Sequence, residues 1–200
     1  MCWAIVCSEA VAAGRKLRGE IETLLLELAS QELLDCCERE KKECYTYSLQ
    51  KTFQWIETNG IRKEVEYPFI AEKCDCRPKS KEESASAVRI KGVVKVNPRD
   101  EVELLKAVWM QPIAGAIKIT KEFNALKGEI YEGSTNYSLT AEGKPRKHAI
   151  LIVGYGYDEK EEKAYWIIKN SWGTEWGING YARIDRSSSL LFATQYPIFE

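Results

Sequence analysis

The chain has 200 residues, is 44% hydrophobic and 30% charged, and balances 29 basic against 30 acidic residues. This length can bury one sizeable hydrophobic core, or two small cores that share an interface. The balanced charge excludes the basic excess typical of proteins that bind nucleic acid or anionic membranes. No stretch reaches the roughly 18 consecutive apolar residues of a membrane helix. We therefore expect neither a nucleic-acid partner nor a membrane partner.

Two observations on the cellular compartment point in different directions. The first residues show no basic region followed by an apolar core, so we expect no signal peptide in the chain as written. Seven cysteines nevertheless suit an oxidising compartment better than the cytosol. One glycosylation sequon, Asn136-Tyr137-Ser138, would matter only in a secreted protein. Localisation stays open on these grounds.

The first part of the chain has helical periodicity. Apolar residues between Trp3 and Arg18 recur at the spacing of one helix face. Ser30 is typical of an N-cap that opens a short helix. A third helix is predicted over Ser48 to Thr58, with Asn59-Gly60 as its C-terminal stop. Residues 71–86 form a polar connector that contains cysteine and proline, and we place a domain boundary at its end.

The second part is rich in predicted strands. A helix is expected from the Asn97-Pro98 pair to about Met110, because proline is tolerated at the first helical position. The charged run from Asp158 to Lys163 is typical of a solvated hairpin loop. The pattern predicts an α+β protein with a helical domain over 1–86 and a β-rich domain over 87–200. The predicted strands are Val88–Val96, Ile113–Ile119, Ala149–Tyr157, Ala164–Lys169 and Gly180–Ile184.

Four residues form a candidate catalytic group. Cys2 stands at the start of the first predicted helix, where the positive end of the helix dipole stabilises a thiolate. His148 is the only histidine, so any chemistry that needs an imidazole must use it. Asn170 could accept the second ring N–H of the histidine and fix its orientation. Trp172 could shield that hydrogen bond from water.

These residues stand in motifs that occur in one order along the chain, and the order resembles that of the papain-like cysteine proteases. The resemblance covers nearly the whole chain, from Cys2 to Phe199. It implies a two-domain fold, with a helical domain, a barrel-like β domain and a cleft between them. The motifs are Cys2–Ala4, Ser30–Cys36, Tyr67–Phe69, His148–Gly156 and Lys169–Gly177.

The resemblance also implies an activity. It makes Cys2 the nucleophile, His148 the general base and acid, Asn170 its orienting partner and Trp172 the shield of the pair. The reaction is endopeptidase cleavage of peptide bonds through a thioester acyl-enzyme, with no metal and no organic cofactor. The expected partners are peptide or protein substrates and cystatin-type inhibitors, and the expected state is a monomer. Family members occur in lysosomes, in vacuoles or outside the cell.

Three departures from the family pattern weigh against full activity. The chain begins at Met1, directly before Cys2, so we expect an N-terminal truncation that removes the segment with the oxyanion Gln. Loss of one oxyanion donor typically costs about 10²–10³ in turnover. Tyr47 stands where the family has a glycine that lets the substrate backbone approach. Lys147 precedes His148, and an inward-pointing ammonium would disfavour the imidazolium.

The same alignment gives expectations for the substrate pocket and for the cysteines. Ala116 falls near the pocket that reads the residue before the scissile bond, which suggests a roomy pocket. Cys36 matches a family position whose disulfide partner here is either Cys74 or Cys76. Zinc binding by the cysteines is an alternative, but their spacing fits the usual paired Cys-x₂-Cys pattern poorly. That alternative would draw on Cys36, Cys37, Cys44, Cys74 and Cys76.

A second function class is left open. Because of the departures, the chain could instead be a weakly active or inactive homologue that keeps the fold and serves as a binding or storage protein. Retention of Cys2, His148, Asn170 and Trp172 favours the peptidase.

Overall fold

The structure is a computed structural model that describes residues 1–19 and 27–199. The chain divides into two compact units. Unit 1 consists of Met1–Val94 with Gln195–Glu200, and unit 2 consists of Lys95–Thr194. The expected domain boundary after residue 86 stays a prediction. None of the helices in the described ranges is long and apolar enough to cross a membrane.

Unit 1 contains the helices α1 (Cys2–Leu17), α2 (Ser30–Cys36), α3 (Leu49–Asn59) and α4 (Lys81–Ser86). Helix α1 packs against α2 and α3, because its apolar positions recur on one face. The core residues that these helices bury include Trp3, Val6, Leu33, Phe53 and Ile56.

Two helix ends in unit 1 test the capping predictions. The predicted stop of α3 is confirmed, because Gly60 ends the helix at φ 69°. Ser48, which the prediction placed inside the helix, is its N-cap, and its hydroxyl accepts a hydrogen bond from the Lys51 N–H. The prediction for α2 is wrong, because Ser30 is already helical and Ala29 occupies the N-cap position without a side-chain hydrogen bond. The Ala29 N–H donates to the Arg62 carbonyl, so the backbone is fixed at Ala29, one residue before the predicted cap.

Helix α4 lies inside the connector that we expected to be irregular. Ser80 accepts from the Glu83 N–H, and the Glu83 carboxylate accepts from the Ser80 N–H. This capping box offsets the absence of any buried residue in the helix. The Ser-x-x-Glu spacing was present in the sequence and should have predicted it.

A disulfide joins the connector to α2, and a buried ion pair holds the chain at Arg62 beside the same helix. Cys36 bonds Cys76, which resolves the two expected pairings, and Cys74 is an exposed thiol. Arg62, which is fully buried, donates from Nε to the Glu32 carboxylate at 3.2 Å. An unpaired charge at such a site is expensive, so this pair fixes the path of the chain beside α2.

The β-rich part of the chain forms one open sheet of seven strands, in the order β1-β7-β2-β4-β5-β6-β3. The α+β class is confirmed, and the sheet is not closed into a barrel. The division between the units falls inside β1 and inside β7. The strands are β1 (Gly92–Val96), β2 (Ile113–Lys118), β3 (Ile130–Tyr131), β4 (Lys147–Asp158), β5 (Lys163–Lys169), β6 (Tyr181–Asp185) and β7 (Leu191–Ile198).

Two further helices belong to unit 2, α5 (Glu101–Met110) and α6 (Lys121–Asn124). The predicted start of α5 at Asn97-Pro98 is wrong. Asp100 is the N-cap and accepts from the Glu103 N–H at 2.9 Å. The Asn97 side chain instead accepts from the Arg99 N–H in a local turn that precedes the helix.

Candidate active site

Cys2 is the first residue of α1 and is half-buried. No acidic residue lies in the first turn of this 16-residue helix, so the positive end of its dipole is not neutralised there by a side chain. The next residue, Trp3, is buried, and its Nε1 donates to the Tyr45 carbonyl at 2.9 Å. That bond ties the beginning of α1 to the Tyr45 segment.

His148 and Asn170 are joined by a buried hydrogen bond. The Nε2 of His148 and the Oδ1 of Asn170 are 2.7 Å apart, and the two residues are only 6% and 7% exposed. Because an amide oxygen accepts, Nε2 carries the proton and Nδ1 is the nitrogen left for proton transfer. The Ser171 N–H donates to the same oxygen at 2.8 Å. The imidazole is therefore held in one orientation and one tautomer.

The strand register explains why these two residues meet. His148 is the second residue of β4, and Asn170 directly follows β5. The two strands are antiparallel neighbours, with Leu151 opposite Lys169, so the start of β4 lies beside the end of β5. The sheet thus brings together side chains that are 22 positions apart.

An aromatic cluster packs against the imidazole. The Trp172 ring lies 4.6 Å from the imidazole, measured between centroids, with the two planes at 34°. Phe123, which is fully buried, contacts Trp172 at 5.7 Å and Trp176 at 5.1 Å. The Nε1 of Trp176 donates to the Phe123 carbonyl at 3.1 Å. The bond between His148 and Asn170 is itself buried, and a low local dielectric strengthens such a bond.

Comparison with known proteins gives the family. The chain matches the description "Papain family cysteine protease" over residues 1–197. The chain belongs to the papain family of cysteine proteases. Among curated relatives, papaya proteinase 4 of Carica papaya is 35% identical over 94% of this chain and 50% of its own length. Pro-cathepsin H of Mus musculus is 33% identical over 98% of this chain and 58% of its own length.

Solved structures agree with the assignment. The bromelain protease of Ananas comosus, in complex with the E64 inhibitor, matches with a TM-score of 0.82 and 31% identity, over 100% of this chain and 89% of that chain. Digestive procathepsin L 3 of Tenebrio molitor matches with a TM-score of 0.81 and 29% identity, over 99% and 63%. The chain spans about half the length of the first curated relatives, 50% and 57%.

Tyr47, which the resemblance led us to expect in the place of a family glycine, packs within unit 1. Its ring lies 5.2 Å from Trp3 and 5.9 Å from Tyr45, and the Lys51 ammonium lies 6.0 Å from its centroid. Burial raises the pKa of the Tyr47 phenol above its ordinary value. These contacts hold the ring beside the residue that follows Cys2. Its effect on a substrate stays a prediction.

The Lys147 side chain and the His148 imidazole lie on opposite faces of β4. Neighbouring residues of a strand point to opposite faces, and the Lys147 ammonium lies 5.3 Å from the Phe192 ring centroid. Ala116, expected near the substrate pocket, is directly opposite Ala149 across β2 and β4. Its role in a pocket also stays a prediction.

The sequence did not lead us to predict Phe123 and Trp176, whose rings contact Trp172. The Trp-Gly-x-x-Trp-Gly spacing was a signal for Trp176, whereas nothing local marks Phe123. The zinc alternative is weakened, since Cys36 and Cys76 are joined in a disulfide. No group of three or more His, Cys, Asp or Glu within 1–19 and 27–199 could hold a metal ion.

Proposed function

We propose that this chain hydrolyses peptide bonds as a papain-type cysteine endopeptidase. Cys2 is the nucleophile, His148 exchanges the proton, Asn170 orients His148, and Trp172 shields the pair. The observation that carries the proposal is the 2.7 Å hydrogen bond between His148 and Asn170, buried beneath Trp172. A histidine held in one tautomer by an acceptor is what thiol activation requires.

The reaction follows from these groups. The thiol proton of Cys2 passes to Nδ1 of His148, and the thiolate attacks the substrate carbonyl. The imidazolium then gives its proton to the leaving amine, which produces a thioester on Cys2. Water, deprotonated by His148, releases the acid and restores the thiol. The Cys2 backbone N–H, in the first turn of α1, is the donor that we assign to the oxyanion.

We propose that the substrates are peptides or proteins, that cystatin-type inhibitors bind the same site, and that the chain acts as a monomer. The bromelain protease is known in complex with E64, and we expect E64 to label Cys2. The Cys36–Cys76 disulfide supports an oxidising compartment, since glutathione keeps cytosolic thiols reduced.

The alternative is a weakly active or inactive homologue with a binding or storage role. The observation that favours it is Tyr47, whose ring packs on Trp3 where the family has a glycine. A large side chain there would obstruct a substrate backbone. Exchange of Tyr47 for glycine separates the two functions, because only an obstructed peptidase gains turnover from the exchange.

The test is hydrolysis of a fluorogenic peptide by the purified chain, with Cys2→Ala and His148→Ala as controls. We expect turnover that both controls abolish, and a single E64 adduct at Cys2 in the intact mass. Absence of turnover in both the parent chain and Tyr47→Gly, without E64 labelling, would support the binding or storage protein instead.

A further inference from the structure

The sequon Asn136-Tyr137-Ser138 is a feature of the chain that the proposed peptidase reaction does not use. It is the only Asn-x-Ser or Asn-x-Thr triplet in the 200 residues. In a secreted protein such a triplet is an acceptor for an N-linked oligosaccharide and belongs on a surface loop. Three properties of the folded chain bear on that role: the exposure of Asn136, the shape of its backbone and the engagement of the serine hydroxyl.

Asn136 lies at the apex of a tight turn in unit 2, and its side chain is exposed. The Tyr137 N–H donates to the Thr135 carbonyl at 2.9 Å, so Asn136 is the central residue of a three-residue turn. The turn belongs to the segment 132–146, which connects β3 to β4 without a helix or a strand of its own. No residue of this segment is buried. An oligosaccharide on Asn136 therefore extends into solvent and displaces no core residue.

The backbone of the triplet is fixed by hydrogen bonds that do not involve the serine hydroxyl. The Asn136 carbonyl accepts from the Lys121 N–H at 3.3 Å, and the Ser138 N–H donates to the Ile119 carbonyl at 2.9 Å. Within the described residues, no hydrogen bond engages the Ser138 hydroxyl. The hydroxyl that the motif requires at its third position is therefore available.

The Asn136 amide hydrogen-bonds the Glu122 carboxylate. Its Nδ2 donates to the Oε1 of Glu122 at 3.0 Å, between exposed side chains, and this bond lowers the pKa of the Glu122 carboxyl. The amide nitrogen carries two protons, and a bond to a sugar replaces only one of them. A proton is thus left on Nδ2 for Glu122, which lies in α6. The sugar and the hydrogen bond that holds the turn beside α6 can be present together.

We propose that Asn136 is the acceptor of an N-linked oligosaccharide, which lies on the surface of unit 2 at the turn beside α6. In the transfer, the anomeric carbon of a lipid-pyrophosphate-linked oligosaccharide bonds to Nδ2, one amide proton is released, and the lipid pyrophosphate departs. The transfer takes place in the lumen of the secretory route, where disulfides also form. The inference rests on the oxidising compartment that we proposed from the Cys36–Cys76 disulfide, and it is independent of the peptidase activity.

The test is expression of the chain behind a cleavable leader in the secretory route of eukaryotic cells, followed by peptide mass spectrometry. An amidase that removes N-linked glycans converts the carrier asparagine to aspartate, which locates the site. We expect the glycan on the peptide that contains Asn136, and its complete loss in Asn136→Gln and in Ser138→Ala. Ser138→Thr, which keeps the hydroxyl, should retain the glycan. The Cys36–Cys76 disulfide marks molecules that have folded in the oxidising lumen, and unmodified Asn136 in parent molecules with this disulfide would overturn the proposal.

Ser138→Ala also tests where the glycan lies on the folded chain. This variant lacks the glycan but keeps Asn136 and its hydrogen bond to Glu122. Because the glycan extends into solvent from a segment without buried residues, the glycosylated parent should unfold at a urea concentration no lower than that for Ser138→Ala. A lower midpoint for the glycosylated parent would contradict this placement. Neither readout uses turnover, so failure of the peptidase proposal leaves this test unaffected.

Discussion

The imidazole of His148 is oriented by one acceptor, the Oδ1 of Asn170. Because that oxygen also accepts from the Ser171 N–H, its position is fixed by the backbone that follows β5. Because this bond occupies Nε2, we expect Nδ1 to be the nitrogen that exchanges a proton in the proposed reaction. Orientation of the base therefore depends on a loop and on a side chain that does not itself react.

Replacement of Asn170 by alanine tests this dependence. The variant leaves the Nε2–H of His148 buried without its acceptor, and the imidazolium loses a charge-assisted bond. We expect kcat/KM to fall about 10–100-fold, because bonds to charged groups contribute about 1.5–3 kcal/mol. Steady-state kinetics on a peptide checks the result. Asn136→Ala, an exposed amide in the same unit, is the control, and an equal effect in both variants would refute the assigned role.

Cys7 is a buried thiol that the proposed reaction does not use. Burial raises the pKa of the Cys7 thiol well above its ordinary value, and the nearby Cys37 thiol raises it further. The folded state thus binds a proton that the unfolded state releases above about pH 8.5. The thiol's contribution to stability is complete below that pH and is lost as pH rises toward the folded value.

We therefore expect the free energy of unfolding to fall between pH 8 and pH 10, and to fall less in Cys7→Ala. Urea denaturation at both pH values measures the difference. In the native protein at pH 8, Cys7 should resist alkylation, whereas the exposed Cys44 and Cys74 should react. Rapid native labelling of Cys7 would contradict the burial argument.

Secondary-structure elements with strong periodicity or long apolar runs were predictable. Helix α1 and strands β4 and β5 lie where the pattern placed them, since each buries a face of its own. The pattern failed for α4, which has no buried residue, and for β7, whose polar Thr194 and Gln195 are nevertheless buried. Such elements are set by capping or by tertiary packing, which periodicity does not report.

The loop between β5 and β6 depends on glycine for its shape. Gly177 has φ 60°, and a Cβ there would collide with the Tyr181 carbonyl oxygen. Gly173 has φ 84° but open space around it. A side chain strains the backbone at both positions, whereas only Gly177 adds a clash with backbone that cannot move aside.

Gly177→Ala should therefore destabilise the protein by more than Gly173→Ala. At Gly173 we expect the free energy of unfolding to fall by about 1 kcal/mol, which is the conformational cost alone. At Gly177 we expect a clearly larger fall. Chemical denaturation of both variants gives the comparison. Near-ultraviolet circular dichroism should also change in Gly177→Ala, because Trp176 precedes this residue. Equal stability of the two variants would count against the clash.

Across the chain, the long-range contacts were harder to predict from the sequence than the local motifs. The resemblance named Cys2, His148, Asn170 and Trp172 because their motifs are local. It left Cys74 and Cys76 as equal partners for Cys36, since sequence spacing carries no distance. Phe123, which supports Trp172 from 49 positions away, has no local signature at all.

The Cys36–Cys76 bond closes a loop of 40 residues that includes α3. Its removal in Cys36→Ser/Cys76→Ser should lower the free energy of unfolding by about 2–4 kcal/mol, the usual contribution of a disulfide. Urea denaturation under oxidising conditions measures the loss. Cys74→Ser is a matched control that should leave stability unchanged. A loss of stability in the control as large as in the double variant would show that Cys74 is the partner.

The central claim is that Cys2 is a nucleophile activated by His148, and the rate of Cys2 alkylation as a function of pH tests it most directly. Peptide mass spectrometry after timed iodoacetamide treatment follows Cys2 apart from the other thiols. We predict fast labelling that persists down to about pH 5 in the parent chain, because an imidazole-paired thiolate has a pKa well below about 8.5. In His148→Ala, labelling should rise only near that value. A parent chain that behaves like His148→Ala would contradict the account.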